Sequence, residues 1–178
     1  DGIASVRLFY SVNGASFRNT PMRRQGGNLY RGTIPRQSGN RKVQFYLLAE
    51  DTLGATQFIP SAGPDSRAII PWDDGQARLD LGNCQPNNFR IVMTADDTSF
   101  MHNVTEVMSN DRLGCTVIYN EEDIYYDCGV RLKGSQRGRA KDVRVGFTLG
   151  FPDNQPFLGA HETVAVDRSG AGDQFSQK

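Results

Sequence analysis

The chain reads as a mainly β protein, a β-sandwich joined to a β-rich α+β segment with one short helix, and three observations predict it. Runs such as "SVRLFYSVNG" and "KVQFYLLAED" alternate apolar and polar residues with the period of a half-buried strand. Turn formers break these runs at short intervals, since the 178 residues include 19 glycines and 8 prolines. Helical patterning is confined to one stretch, "ADDTSFMHNVTEVM".

Composition narrows the function. Hydrophobic residues make up 38% of the chain, enough for a core, and 20 basic residues balance 20 acidic ones. That balance argues against nucleic acid as a partner, because phosphate binding needs a cationic surface. No apolar run approaches the roughly 20 residues that cross a bilayer, so no transmembrane segment is expected. The chain starts without methionine and stops at "DQFSQK", which reads as a mature or excised piece of something longer.

Residues 1–72 form the first expected domain. In "SVRLFYSVNG", Val6, Leu8, Tyr10 and Val12 share one strand face, and Asn13-Gly14 closes the run with a turn pair. "NLYRGTIP" is a second short strand. In "KVQFYLLAEDTLGATQFIP", Val43, Phe45, Leu47 and Ala49 line one face, a turn spans residues 51–54, and a strand returns through Thr56 and Phe58. Short strands with turns between them and no helical period predict a sandwich. The stretches "LFYSVNG", "YRGTIP" and "VQFYLLAEDTLG" resemble immunoglobulin-like or fibronectin type III-like modules of bacterial surface and secreted proteins. That resemblance implies a spacer or binding module.

Residues 73–87 are the expected linker, after the proline- and glycine-rich "PSAGPDSRAIIPWDDG". Asp73 and Asp74 fall short of calcium-loop spacing, and a solvated turn is the expectation there.

Residues 88–178 form the second expected segment. "NFRIVMT" reads as a buried strand through Phe89, Ile91 and Met93. Thr94 stands three residues before Asp97, the spacing of a helix N-cap, and the helix after it should turn Phe100, Val104, Val107 and Met108 inward. Asn103-Val104-Thr105 is a glycosylation sequon, with Asn103 as candidate acceptor.

In "GCTVIYNEEDIYYDCGVRLKGS", two strand-like runs flank residues 120–123. Counting outward from the middle of that turn matches Cys115 with Cys128. Opposed residues in an antiparallel pair are close enough for a disulfide, so a Cys115–Cys128 bond is expected, with burial as two free thiols the alternative. A disulfide points to an oxidising, extracellular location. Cys84 is left over.

The hairpin runs into "GVRLKGSQRGRAKDVRVGFTLGF", where basic residues surround Gly134 and Gly138. Small residues let backbone amides approach an anion and guanidinium groups neutralise it. Lys133, Gly134, Ser135, Arg137 and Arg139 are the candidate residues for binding an anion such as phosphate or sulfate, against the alternative of basic side chains decorating a solvated hairpin end. "FLGAHETVAVDRSG" adds a strand at 163–166 and an Asp167-Arg168 pair. No residues read as catalytic or as metal ligands.

"GVRLKGS" and "DRSG", within residues 88–178, resemble the beginning of the CotH family of spore-coat kinase-like proteins. That family has an atypical kinase fold that binds ATP between two lobes and can phosphorylate proteins. The resemblance places Lys133, Gly134 and Ser135 at the family's loop positions. Arg144-Val145 stands where the family usually has paired lysines, and the sequence ends where the family continues into the lobe carrying its metal-binding acids. ATP and magnesium are cofactors only under this reading, because phosphoryl transfer needs metal ligands and a nucleophile-positioning group as well as a phosphate loop.

The leading expectation is a non-catalytic extracellular or cell-surface protein, structural or adhesive. It would act through protein partners, with a homo-oligomer or filament as the extension of that idea. The alternative is the amino-terminal fragment of a secreted CotH-type kinase. A carbohydrate-binding module is a third reading. The strand "DVRVGFTLGF" is the expected contact edge, with a central, paired position as its alternative.

Overall fold

The computed structural model describes residues 2–77, 87–103, 108–134, 139 and 145–167. The described chain is mainly antiparallel β-sheet with one short α-helix, as the alternating pattern predicts. It forms two compact units. The first comprises Asp1–Val92 with Cys115–Asp127, and the second Met93–Gly114 with Cys128–Lys178.

The first unit contains β1 (Ile3–Val12), β2 (Arg18–Pro21), β3 (Arg23–Gly26), β4 (Leu29–Arg31), β5 (Arg41–Asp51), β6 (Thr56–Ile59), β7 (Ile69–Trp72) and β8 (Phe89–Val92). One sheet has the order β2-β1-β5-β6, with β7 pairing the other end of β5. β3 and β4 form a separate two-stranded ribbon. Register brings the two expected faces together, Val6 opposite Ala49, Leu8 opposite Leu47 and Tyr10 opposite Phe45. Val6, Leu8, Tyr10 and Val43 are buried there.

The opposite face is also apolar. Phe9 stacks on Tyr46 with ring centroids 4.7 Å apart, and Phe17 and Phe58 meet Tyr46 edge-on. Desolvation raises the pKa of the Tyr46 phenol. Both predicted turns form. Asn13 and Gly14 take left-handed backbone, which suits a tight turn joining twisted strands. At the other, Asp51 Oδ1 accepts from Leu53 N and Ala55 N at 2.8 and 2.9 Å.

β9 (Leu113–Tyr119) and β10 (Asp123–Lys133) form the predicted hairpin. Residues of both strands hold the segment leading into β7. Fully buried Thr116 accepts from Ile69 N at 2.8 Å and donates to Arg67 O at 2.5 Å, and Asp127 Oδ1 accepts from Arg67 N at 2.9 Å. Ile69, Val92 and Ile118 form a buried cluster beside these bonds. At the hairpin tip, Glu121 and Asp74 both pair with Arg90, at 2.9 and 2.5 Å, so Asp74 serves an ion pair.

The disulfide expected between Cys115 and Cys128 does not form. Neither is in a disulfide, and both are buried. The turn is tighter than its sequence symmetry suggests. Glu122 N donates to Tyr119 O at 3.1 Å, and Asn120 and Glu121 take φ of 54° and 57°. The turn centre therefore lies between 120 and 121, and counting outward from it puts residue 126 across from Cys115. Further along, Asp127 takes a φ of 55° and the buried positions pass from Tyr125 to Cys128, Val130 and Leu132. That one-residue shift in alternation is the signature of a bulge, and with the turn centred between 120 and 121 it leaves the two cysteines out of the mirror relation on which the bond depended.

The second unit begins with α1 (Ala95–Met101), where Thr94 caps the helix by accepting from Asp97 N at 3.1 Å, as its spacing predicts. The helix is shorter than expected. Met101 is its buried residue, whereas Phe100 and Met108 are exposed, and Val104 and Val107 lie outside the described residues. β11 (Gly146–Gly150) pairs with β10 on one side and β12 (Thr163–Val166) on the other. β11 is thus central, and "DVRVGFTLGF" is not an open edge over its described strand. Val130, Leu132 and Leu149 fill the core of this sheet, and Phe151 packs on Phe157 at 5.2 Å.

Candidate functional site

The sequence directs attention to the end of β10. Leu132 and Val130 turn into the core, and alternation sends Arg131 and Lys133 to the other face. Lys133 Nζ lies 2.5 Å from Asp167 Oδ1, just beyond β12. The two motifs carrying the family resemblance, "GVRLKGS" and "DRSG", therefore meet through this pair, and the partner of Lys133 is a carboxylate. Gly134 follows with a φ of 102°, backbone that glycine adopts without strain.

Arg139 is the buried member of the predicted set, only 5% exposed. Its guanidinium donates to Gly134 O at 2.7 Å, Ser109 O at 3.0 Å and Asn110 Oδ1 at 3.4 Å. Arg131 Nη1 donates to the same Asn110 oxygen at 3.0 Å. Arg139 thus clamps the start of the basic loop to residues 109–110. Ser135 and Arg137 lie outside the described residues, as does Cys84. Asn103 is exposed just after α1.

Arg112 was invisible to sequence reasoning. Gly129 of β10 faces Gly150 of β11, which faces Thr163 of β12, so the three form one cross-strand row. The Arg112 side chain lies along that row. A Cβ on Gly150 would come within 2.1 Å of Arg112 Nη1, and one on Gly129 within 3.0 Å of Arg112 Cβ and Cδ. Its Nη2 donates to Thr163 Oγ1 at 3.3 Å. The detectable sequence signal is the pair of glycines placed either side of the basic loop; the arginine that uses them is not inferable from it.

The nearest cleft, lined by Phe100, Met101, Ser109, Asp111, Leu113 and Arg131 among others, has a volume of about 70 Å³. Small-molecule sites usually occupy roughly 300–1,000 Å³, well above the volume of this cleft. Among the described residues no group of three His, Cys, Asp or Glu side chains could hold a metal ion. No helix among them is long and apolar enough to cross a membrane.

What the arrangement supplies is a sheet face bearing Arg112, Arg131 and Lys133, next to a loop that Arg139 holds through the carbonyls of Gly134 and Ser109. Compared with known protein families and with curated proteins, the chain matches no family and no curated protein.

Proposed function

We propose that the chain is an extracellular structural or adhesive module that works through protein–protein contacts, with copies of itself among its partners. The carrying observation is the edge at β6, which among the described residues pairs with β5 alone. This strand ends the sheet order of the first unit, all four of its residues are exposed, and its sequence Thr-Gln-Phe-Ile carries no charge. Phe58 is 36% exposed and Ile59 55%, with Leu53 protruding from the preceding turn.

Protected edges carry charges or proline, because unpaired backbone groups otherwise accept another strand. The other end of that sheet follows this rule, with Arg18 and Pro21 in β2. β6 does not. The extracellular part of the reading draws on the resemblance to immunoglobulin- and fibronectin III-like surface modules and on exposed Asn103 in its sequon.

Light scattering over a concentration range tests the proposal, with Gln57→Lys/Ile59→Lys placing charge on the edge. The expected outcome is association of the wild-type chain that the double variant loses. Monomers of both at every concentration, or association indifferent to the lysines, would overturn self-pairing at β6.

A second reading, the amino-terminal fragment of a CotH-type atypical kinase, is favoured by the meeting of Lys133 and Asp167. Under it, Lys133 and Gly134 would face ATP and magnesium, and the remaining metal ligands would lie elsewhere.

A further inference from the structure

We propose that the face of the second-unit sheet bearing Arg112 and Arg131 is a receptor for an acidic polypeptide segment, one with carboxylates at alternate positions of an extended chain. The proposal takes from the preceding reading only that the partner is a protein.

Three observations carry it. First, Arg112 is exposed, yet its side chain is laid down along a glycine-floored row instead of extending into water. A long side chain loses rotamer freedom when so held, and the single 3.3 Å bond to Thr163 is a weak return for that ordering. A guanidinium held flat presents its remaining N–H groups in a fork suited to a carboxylate.

Second, Arg112 and Arg131 each have only a neutral oxygen as bonded partner, Thr163 Oγ1 and Asn110 Oδ1. Among the described residues no carboxylate lies within ion-pair distance of either. Acids near them in the chain or on the face are Asp111, which lines a cleft with Arg131, Glu162, next to Thr163, and Asp167, which pairs with Lys133. Neither of the first two is ion-paired with either arginine among the described residues.

Third, the two arginines stand on neighbouring rows of one face. Arg131 lies in the row Arg131–Thr148–Ala165, two residues along β10 from the row that Arg112 covers. At about 3.3 Å per residue the rows are roughly 7 Å apart, and the Arg112 guanidinium, over Gly150 and beside Thr163, is also offset across the strands from Arg131. A single phosphate or sulfate does not span two such rows; a Glu-x-Glu segment does.

Fluorescence anisotropy with a labelled alternating Glu-Ser hexapeptide tests this, at low and at physiological salt. Arg112→Ala removes the charge. Gly150→Ala keeps it and dislodges it, since the added methyl meets the movable end of Arg112. Both should weaken binding by at least about tenfold, and salt should weaken it for the wild type. Arg112→Lys should lose several-fold by keeping a point charge without the planar fork, and this variant decides the matter if Gly150→Ala does not fold. Gln57→Lys/Ile59→Lys should bind the peptide normally, which separates this test from the one at β6. Absence of binding, or affinity indifferent to Arg112→Ala, overturns the proposal. Displacement of the peptide by inorganic phosphate or MgATP at comparable concentration also overturns it, because the face would then read a lone oxyanion.

Discussion

Around the β9–β10 hairpin, the part in the first unit and the part in the second are supported by opposite kinds of hydrogen bond. In the first unit short side chains accept. Thr116 Oγ1 and Asp127 Oδ1 take the backbone N–H groups of Ile69 and Arg67, and Asn120 Oδ1 takes that of Asn88. In the second unit long cationic side chains donate, Arg139 to the carbonyls of Gly134 and Ser109. The difference has a physical origin. A buried N–H has one proton and one chance of a partner, so a short oxygen placed at contact range is needed, whereas a carbonyl near the surface has two lone pairs and access to water. Acceptor support is therefore structural necessity, whereas the donor support from buried Arg139 fixes a loop in which exposed Gly134 could also turn its carbonyl to water.

The sharpest way to break this comparison is at Thr116. Thr116→Val keeps the shape and removes both bonds, leaving the N–H of Ile69, itself 2% exposed, without a partner. The expected loss is roughly 1–3 kcal/mol, read as a lower denaturant midpoint at unchanged slope. A loss well under that range would mean that the segment before β7 has another acceptor within reach.

Arg139→Met probes the other side and should cost less, about 1 kcal/mol, because exposed Gly134 can exchange its partner for water. The variant should speed hydrogen exchange around residues 109–110 and 134 more than it lowers the global midpoint. Equal global losses for Thr116→Val and Arg139→Met would erase the distinction between the two supports.

These supports explain what could be read from the chain alone. Strand positions were legible because period-two burial is local: Val6, Leu8 and Tyr10 declare their face, and 163–166 its strand. The cap of Thr94 on Asp97 was legible for the same reason. The Cys115–Cys128 error arose where a local symmetry stood in for backbone conformation. Left-handed φ at Asn120, Glu121 and Asp127 decides the pairing, and Asn, Glu and Asp do not announce it as glycine would. The Arg112 row lay further out of reach. Gly129 and Gly150 become neighbours only through register, and Arg112 reaches them from a segment preceding β9. Lys133 offered a positive charge to the reader, but its carboxylate partner is supplied by strand order, 34 residues away.

The smallest expected effect tests whether donor support and binding can be told apart at the Lys133–Asp167 pair. Its side chains are 37% and 73% exposed, so solvent screens the charges, and the pair should contribute only about 0–1 kcal/mol. Lys133→Met and Asp167→Asn should each move stability within that range, with a coupling between them that shrinks as salt is added. A larger coupling that salt leaves intact would make the pair a structural clamp like that of Arg139, and the comparison would extend to the strand end. A small coupling accompanied by MgATP binding that Asp167→Asn strengthens, through release of Lys133, would instead turn the donor end of β10 into a nucleotide-facing site and favour the kinase reading. Small coupling without nucleotide binding leaves Lys133 as one more cation on the face that Arg112 and Arg131 present, and Asp167 as an intramolecular stand-in for the carboxylates that the face is built to receive.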